Sequence, residues 1–243
     1  LQMDRSLKNE IRYRHELKYL INYPDFVLIK MRIDELLKKD KHVNSEGIYT
    51  VRSLYFDDYF NNAYNEKYAG ILNRQKYRIR IYNQSDSVIH LERKIKFDRY
   101  IYKQSSPLSR DNVNEIIQGN YNFLLQSSHN VHKVFYHECV SRMMRPRVVV
   151  DFEREPYVMD AGNVRITFDN NLRAGVEELD IFNDKMAMVE TMDTGKLIME
   201  VKYTEFLPNI IRKILPPRSA EFSAVSKYVL CCNKTMYKRN SNF

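Results

Sequence analysis

The stretch Lys76-Tyr77-Arg78-Ile79-Arg80-Ile81-Tyr82 decides how this 243-residue chain is read. Side chains on a β-strand point alternately to opposite faces. Tyr77, Ile79 and Ile81 therefore share one side, and Lys76, Arg78, Arg80 and Tyr82 the other. The same device recurs in 88–96, VIHLERKIK, where Ile89, Leu91 and Ile95 share a face with Arg93, opposite His90, Glu92, Lys94 and Lys96. It recurs in 163–169, NVRITFD, with Arg165, Thr167 and Asp169 on one face. In 197–203, LIMEVKY, the face is Ile198, Glu200 and Lys202, and in 14–20, RHELKYL, it is Arg14, Glu16 and Lys18. A single strand of this kind is an ordinary sheet strand with one wet face. Five of them, rich in Lys and Arg with a recurring glutamate (Glu16, Glu92, Glu200), predict charged faces that converge.

Outward from these segments most of the chain reads as strand. Ile11–Ile21, Ile48–Asp57, Lys76–Asn83, Ser87–Phe97, Ile101–Ser105, Pro146–Glu153, Asn163–Asp169 and Lys196–Tyr203 are rich in Tyr, Ile, Val, Phe and Thr and bounded by polar turns. Val176–Ile181 and Lys185–Met192 are weaker strand patterns. Pro24 opens a helical pattern, FVLIKMRIDELLKK, with basic residues in its last turn. Ser109 is the expected N-cap of a helix that Gly119 stops. Val131–Met144 reads as a helix ended by Arg145-Pro146, and Leu207–Leu215 and Ser219–Asn233 read as two more. Antiparallel strands interrupted by helices predict an α+β fold, one continuous domain over 1–243 with its core at about 11–232.

Composition narrows the function. Lys plus Arg is 39 and Asp plus Glu 31, a net charge of +8, which points to an anionic partner. Only 6 glycines are present, and neither GxGxxG nor GxxxxGK[ST] occurs, against nucleotide folds built on glycine-rich loops. No apolar run reaches the roughly 18–20 residues of a membrane span. The charged start lacks the apolar stretch of a signal peptide, so the expected compartment is cytoplasmic, with the 3 cysteines reduced. His129 and His132 lie close in sequence but lack zinc-site spacing. Asp57-Asp58 ends a strand and is expected to cap the next segment. Nucleic acid is not expected, since no RNP-type motif or arginine-clustered helix is present.

If the sheet closes with its apolar face outward under helices, its lumen collects cations. Packed like charges are costly unless an anion neutralises them. Lys and Arg at i and i+2 stand roughly 6–7 Å apart along a strand and can clamp successive phosphates, arginine by its planar fork. The few carboxylates would then serve a divalent metal bridging phosphate oxygens.

The ordered set HELKY, RSLYFDD, KYRIRIY, LERK, YKQS, FEREPY, VRITFD, MEVKY and SKY resembles the VTC domain, the polyphosphate polymerase domain of the vacuolar transporter chaperone family, among the CYTH-like triphosphate tunnel metalloenzymes. The resemblance runs from about Tyr13 to Tyr228. It implies a closed antiparallel β-barrel tunnel of about eight strands, helices on its outside and one helix plugging its side. It also implies metal-dependent transfer of the ATP γ-phosphate to a growing polyphosphate chain, with Mn²⁺ or Mg²⁺. Carried over motif by motif, it makes Arg78, Arg80, Lys94, Arg154 and Arg165 the catalytic clamps. Lys18, Arg52, Lys103, Lys202, Ser226 and Lys227 become substrate ligands, and Glu200, with Glu16 and Glu92, metal ligands. Hydrolytic relatives resemble ExExK on the first strand; here Arg14 replaces the first carboxylate, which favours transferase over triphosphatase. A triphosphate or polyphosphate hydrolase and a non-catalytic polyphosphate-binding module stay open as alternatives. So do a membrane-associated partner protein and the oligomeric state.

Overall fold

A computed structural model describes residues 15–97, 100–204, 206–215, 221–222 and 225–240. Arg14 and the expected start of the first strand at Ile11 lie outside these residues. The strands are β1 His15–Asn22, β2 Lys38–Lys39, β3 Tyr49–Asp57, β4 Arg74–Tyr82, β5 Ser85–Phe97, β6 Tyr100–Pro107, β7 Arg145–Met159, β8 Val164–Gly175, β9 Met188–Glu190, β10 Lys196–Tyr203 and β11 Glu221–Phe222. The helices are α1 Tyr23–Asp34, α2 Asn62–Tyr68, α3 Arg110–Gln118, α4 Asn130–Ser141, α5 Asn209–Ile214 and α6 Lys227–Asn240. The sheet runs β11-β1-β10-β8-β7-β3-β4-β5-β6, every neighbouring pair antiparallel, with β2 added to β7 and β9 to β8. Its eight main strands curl through 206°, giving the α+β tunnel fold read from the sequence. No backbone ladder joins β6 to β1 among the described residues; across that gap Lys94 of β5 reaches Glu16 of β1 at 3.1 Å.

The apolar strand faces point outward as the alternation requires. Leu54, Phe56, Tyr77, Ile79, Ile81, Ile89 and Leu91 form one core with Val113 and Ile116 of α3 and Phe135 of α4. Phe135 packs against Phe56 and Tyr77 at ring separations of 5.0 and 5.2 Å. Ile166, Phe168, Met199 and Val201 form a second core with Ile29 and Ile33 of α1 and Ile211 of α5. Burying side chains of this size stabilises the fold by about 1.5–3 kcal/mol each. Part of the inner face is apolar too. Val148, Val150, Phe152, Leu172 and Ala174 accept Tyr228, Cys231 and Cys232 of α6, which fills one side of the curl.

Caps fix the helix starts. Asn22 accepts the Asp25 amide at 2.8 Å, with Pro24 in the first turn. Ser109 and Asn112 form a reciprocal capping box, and Gly119 ends α3 at φ 88°. Several expectations shift: the helix expected to run through Lys39 stops at Asp34, with Lys38–Lys39 in β2, and Glu221–Phe222 are strand inside the stretch 219–233 expected as helix. The stretch 176–181 is a loop, because β8 ends at Gly175, where a Cβ would lie 2.7 Å from Met186 Sδ, and Ile181 instead turns into the outer core. α2 has no counterpart in the sequence reading: it spans only seven residues, too few for a helical period to show. Its start is held by Asp57, whose carboxylate accepts the Ala63 and Tyr64 amides at 2.8 and 3.0 Å. The capping role expected of Asp57-Asp58 is therefore met, Asp58 accepting the Asn62 amide at 2.9 Å.

Candidate active site: a cationic cavity inside the curled sheet

The inward faces enclose a cavity of about 460 Å³. Among the described residues Lys18, Lys67, Arg74, Lys76, Arg78, Arg80, Lys94, Lys96, Arg154, Lys202 and Lys227 line it, against two acidic residues, Glu16 and Glu200. Tyr55, Phe152 and Tyr228 supply aromatic wall, and Ser226 and Lys227 enter from the start of α6.

Register explains the grouping. Lys18 of β1 is paired with Glu200 of β10, and Glu16 with Lys202, so acid and base alternate across that ladder. Glu200 receives Lys18 at 3.3 Å, Lys202 at 3.0 Å and Lys227 at 2.9 Å. Glu16 receives Lys18 at 3.4 Å, Lys94 at 3.1 Å and Lys202 at 3.9 Å. Behind the wall, Asp169 takes both Nε and Nη2 of Arg154 at 2.6 and 2.8 Å, and Lys227 at 2.6 Å. Glu92 takes Arg78 at 2.6 Å and Lys103 at 2.7 Å, and Arg78 also donates to the Tyr55 hydroxyl at 2.8 Å.

The electrostatics follow from these contacts. Burial opposes ionisation of Glu16, but Lys18 and Lys94 pull its pKa down to about 2. Burial equally opposes ionisation of Glu200 and Asp169, yet their lysine and arginine neighbours hold both below the usual carboxylate range. These carboxylates are ionised and occupied. The cations carry the strain. Burial pushes Lys94 down to about 8, and burial with Arg74 and Lys67 nearby pushes Lys76 down to about 7. Arg80 is also lowered by burial and by Arg78; its Nε donates to Ser53 Oγ at 3.1 Å, and Glu92 is no nearer than 4.0 Å.

Of the residues expected from sequence, Lys18, Arg78, Arg80, Lys94, Arg154, Lys202, Ser226, Lys227, Glu16 and Glu200 meet in this cavity. Glu92 and Lys103 pair with each other at its wall and are not among the lining residues. Arg165 has the inward parity but lies beyond the cavity lining, paired with Asp40 at 3.0 Å and donating to the Tyr49 hydroxyl at 2.9 Å. Arg52 does not face the lumen. Its parity on β3 is that of Leu54 and Phe56, and it lies 2% exposed on the outer side, bound to Asp151 at 2.9 Å and to the carbonyls of Ile181 and Asn183. Lys67, Arg74, Lys76 and Lys96 line the cavity as well, beyond the ligands expected from the motifs. Parity had already placed Lys76 and Lys96 on the charged faces; Lys67 rides on α2 and carries no sequence signal.

The donor set for a metal is oxygen only. Glu16 and Glu200 flank the single ammonium of Lys18 at 3.4 and 3.3 Å. Among the described residues no group of three or more His, Cys, Asp or Glu could hold a metal unaided. A pair of this kind would take a hard divalent cation where phosphate oxygens draw off the lysines and complete the shell. The three cysteines are free and buried, and no described helix is long and apolar enough to cross a membrane.

Solved structures of low sequence identity resemble this chain in fold. HpAC1 from Hippeastrum, a candidate adenylyl cyclase with dominant triphosphatase activity, shares the fold at TM-score 0.56 and 13% identity, over 92% of this chain and 96% of that one. A candidate adenylate cyclase from Bacillus halodurans aligns at TM-score 0.46 and 11% identity, over 94% and 90% of the two chains. The Pyrococcus horikoshii protein PH1012 aligns at 0.46 and 15%, over 89% and 98%. No curated protein matches the sequence. The VTC domain model matches residues 13–236, nearly the whole length, and the chain therefore belongs to the VTC domain family.

Proposed function

We propose that this chain is a polyphosphate polymerase that transfers the γ-phosphate of ATP to a growing inorganic polyphosphate chain. The observation that carries the reading is the state of the cavity: many cations, and carboxylates that are all ionised and held by lysine or arginine. Such a site binds a long phosphate anion and leaves neither lining carboxylate, Glu16 nor Glu200, unpaired to activate water.

The chemistry asks little else of the protein, since phosphoryl transfer is mostly positioning and charge stabilisation. A terminal oxygen of the acceptor chain forms a bond to the γ-phosphorus. The bond from that phosphorus to the β–γ bridging oxygen breaks, and its electron pair leaves with ADP. The attacking oxygen is already ionised, so no proton has to be removed. Arg78, Arg80 and Lys94 stand on adjacent strands where they clamp non-bridging oxygens, and Lys202, Lys227 and Ser226 approach from the facing wall. Arg154 commits Nε and Nη2 to Asp169, which fixes the orientation of its remaining donors. Glu16 and Glu200 would hold Mn²⁺ or Mg²⁺, which neutralises phosphate charge when bound.

The test is incubation of the protein with ATP and Mn²⁺ or Mg²⁺, with products resolved by chain length. ADP together with long polyphosphate is expected. Free phosphate without polymer identifies a hydrolase, and tight binding with no turnover identifies a binding module; either result overturns the proposal.

A further inference from the structure

One wall of the cavity holds a neutral hydroxyl among cations. Tyr55 of β3 lines the cavity and is 8% exposed. The β3–β4 register places Arg78 directly opposite it. Its ring is fixed on two sides. It stacks on Tyr228 of α6 at a ring separation of 5.1 Å, and the Arg78 guanidinium stands 5.7 Å from its centre. Its hydroxyl oxygen is fixed as well, because Arg78 Nη1 donates to it at 2.8 Å.

That bond uses a lone pair of the oxygen and leaves the hydroxyl proton still to be placed. Two other buried tyrosines hand their protons to acids, Tyr157 to Asp34 at 2.6 Å and Tyr228 to Asp57 at 2.5 Å. Tyr55 does not. Among the described residues no acceptor lies within hydrogen-bond reach of its proton. The cations around it, Arg78, Arg80 and Lys227, are donors with no acceptor to offer. Burial opposes ionisation of the phenol, yet these cations outweigh it and hold its pKa below the usual tyrosine range. A hydroxyl hydrogen turns away from positive charge, and here that leaves the open space of the cavity.

Arg78 brings an anion to the same place. Its Nε and Nη2 hold Glu92 at 2.7 and 2.6 Å, and its Nη1 holds Tyr55, so Glu92 and Tyr55 fix the plane of the fork between them. An oxyanion clamped by that fork lies beside the phenol. We propose that the Tyr55 hydroxyl is a substrate ligand, donating a hydrogen bond to an oxygen of the phosphate that Arg78 clamps. The proton stays on Tyr55, and no bond breaks. A donor without charge strengthens the grip on phosphate and adds nothing to the repulsion among Arg78, Arg80 and Lys227. This rests on the reading above that the cavity binds a phosphate chain.

The test uses Tyr55→Phe, which keeps the ring against Tyr228 and removes only the hydroxyl. Tripolyphosphate affinity, measured by calorimetric titration, is expected to fall about tenfold, the scale of a hydrogen bond to a charged group. The melting temperature is expected to move by less than about 4 °C, because Arg78 keeps Glu92. The substitution is then repeated in Arg78→Lys, which leaves a cation for Glu92. A hydroxyl that touches phosphate costs about threefold or more in that background too. No further loss there makes Tyr55 a support for Arg78 alone and overturns the proposal. A loss below about threefold in the single variant also overturns it. Wild type that binds no tripolyphosphate overturns this proposal and the polymerase reading together. Wild type that binds it, weakens in both Tyr55→Phe backgrounds and yields free phosphate without polymer from ATP sustains the hydroxyl contact and overturns the polymerase reading.

Discussion

Arg80 stands opposite Ser53, the neighbour of Arg52, so these two arginines lie within one rung of each other on opposite faces of one sheet. Arg52 is saturated: Asp151 takes its Nε and two carbonyls take its Nη1. Removing it strips one partner from a fully buried carboxylate, at a cost of about 3–5 kcal/mol. Arg80 has a hydroxyl and no close acid. Arg52→Met should therefore lower the melting temperature by roughly 6–20 °C and leave tripolyphosphate affinity nearly intact. Arg80→Met should weaken binding at least tenfold with little thermal change. Calorimetric melts and titrations of both variants decide it, and equal binding losses would contradict the assignment of faces. Lys76 gives a second prediction. Its folded pKa near 7 rises when a phosphate anion sits beside it, so affinity is full below about pH 7 and declines as pH climbs above it. Polyphosphate affinity should drop by about tenfold between pH 6.5 and 8.5, within the limit of one proton per site. Titrations of Lys76→Met should show a flatter profile, and an unchanged slope would remove Lys76 from the site.

At the scale of elements, α2 joins two parts of the site through one carboxylate. Asp57 accepts the Ala63 and Tyr64 amides at the start of α2 and, at 2.5 Å, the Tyr228 hydroxyl of α6; Tyr64 in turn donates to Asn233 of α6 at 2.7 Å. Asp57 thus fixes the helix that presents Lys67 against the helix that presents Ser226 and Lys227. Asp57→Ala should cost about 1–2 kcal/mol, the range for a lost cap. Amide exchange should quicken in both α2 and the first turn of α6; acceleration in α2 alone would show that the link to Tyr228 carries no energy. This coupling also marks where sequence reading stops. Strand parity was legible because period two is enforced by the pleat, and it sorted Arg78, Arg80, Lys94 and Glu200 from Ile79, Leu91 and Val201 without a structure. Arg52 was misplaced because its motif was matched whole: on β3 both faces are buried, so alternation of polarity says nothing about direction. Arg165 had the right parity, but position along the barrel axis is set by strand tilt, which a linear sequence does not display. α2 was invisible because seven residues are too few for a helical period to show, although the carboxylates that cap it were expected to do so.

For the molecule as a whole, the +8 charge is concentrated where it repels itself. The outer helices and apolar cores close over a sheet whose inner rungs include Lys76 opposite Lys94 and Arg74 opposite Lys96. The folded state therefore bears a repulsion that the unfolded chain relaxes. Two conditions relieve it, and they act differently. A phosphate polyanion neutralises the cavity and binds only the folded chain, so tripolyphosphate at about 100 times its Kd should add about 2.7 kcal/mol, raising the melting temperature by roughly 5–11 °C. Simple salt screens the same cations, since the cavity is open enough for solvent, and the Debye length falls from about 10 Å at 0.1 M to 3 Å at 1 M. Added NaCl should thus raise the melting temperature of the free protein while lowering that of the tripolyphosphate complex towards it. The two curves, measured by calorimetry across that salt range, should converge. If salt instead destabilised the free protein, the buried acid–base pairs around Glu200 and Glu16 would outweigh the unpaired cations, and the cavity would not be an anion site held open at the expense of stability.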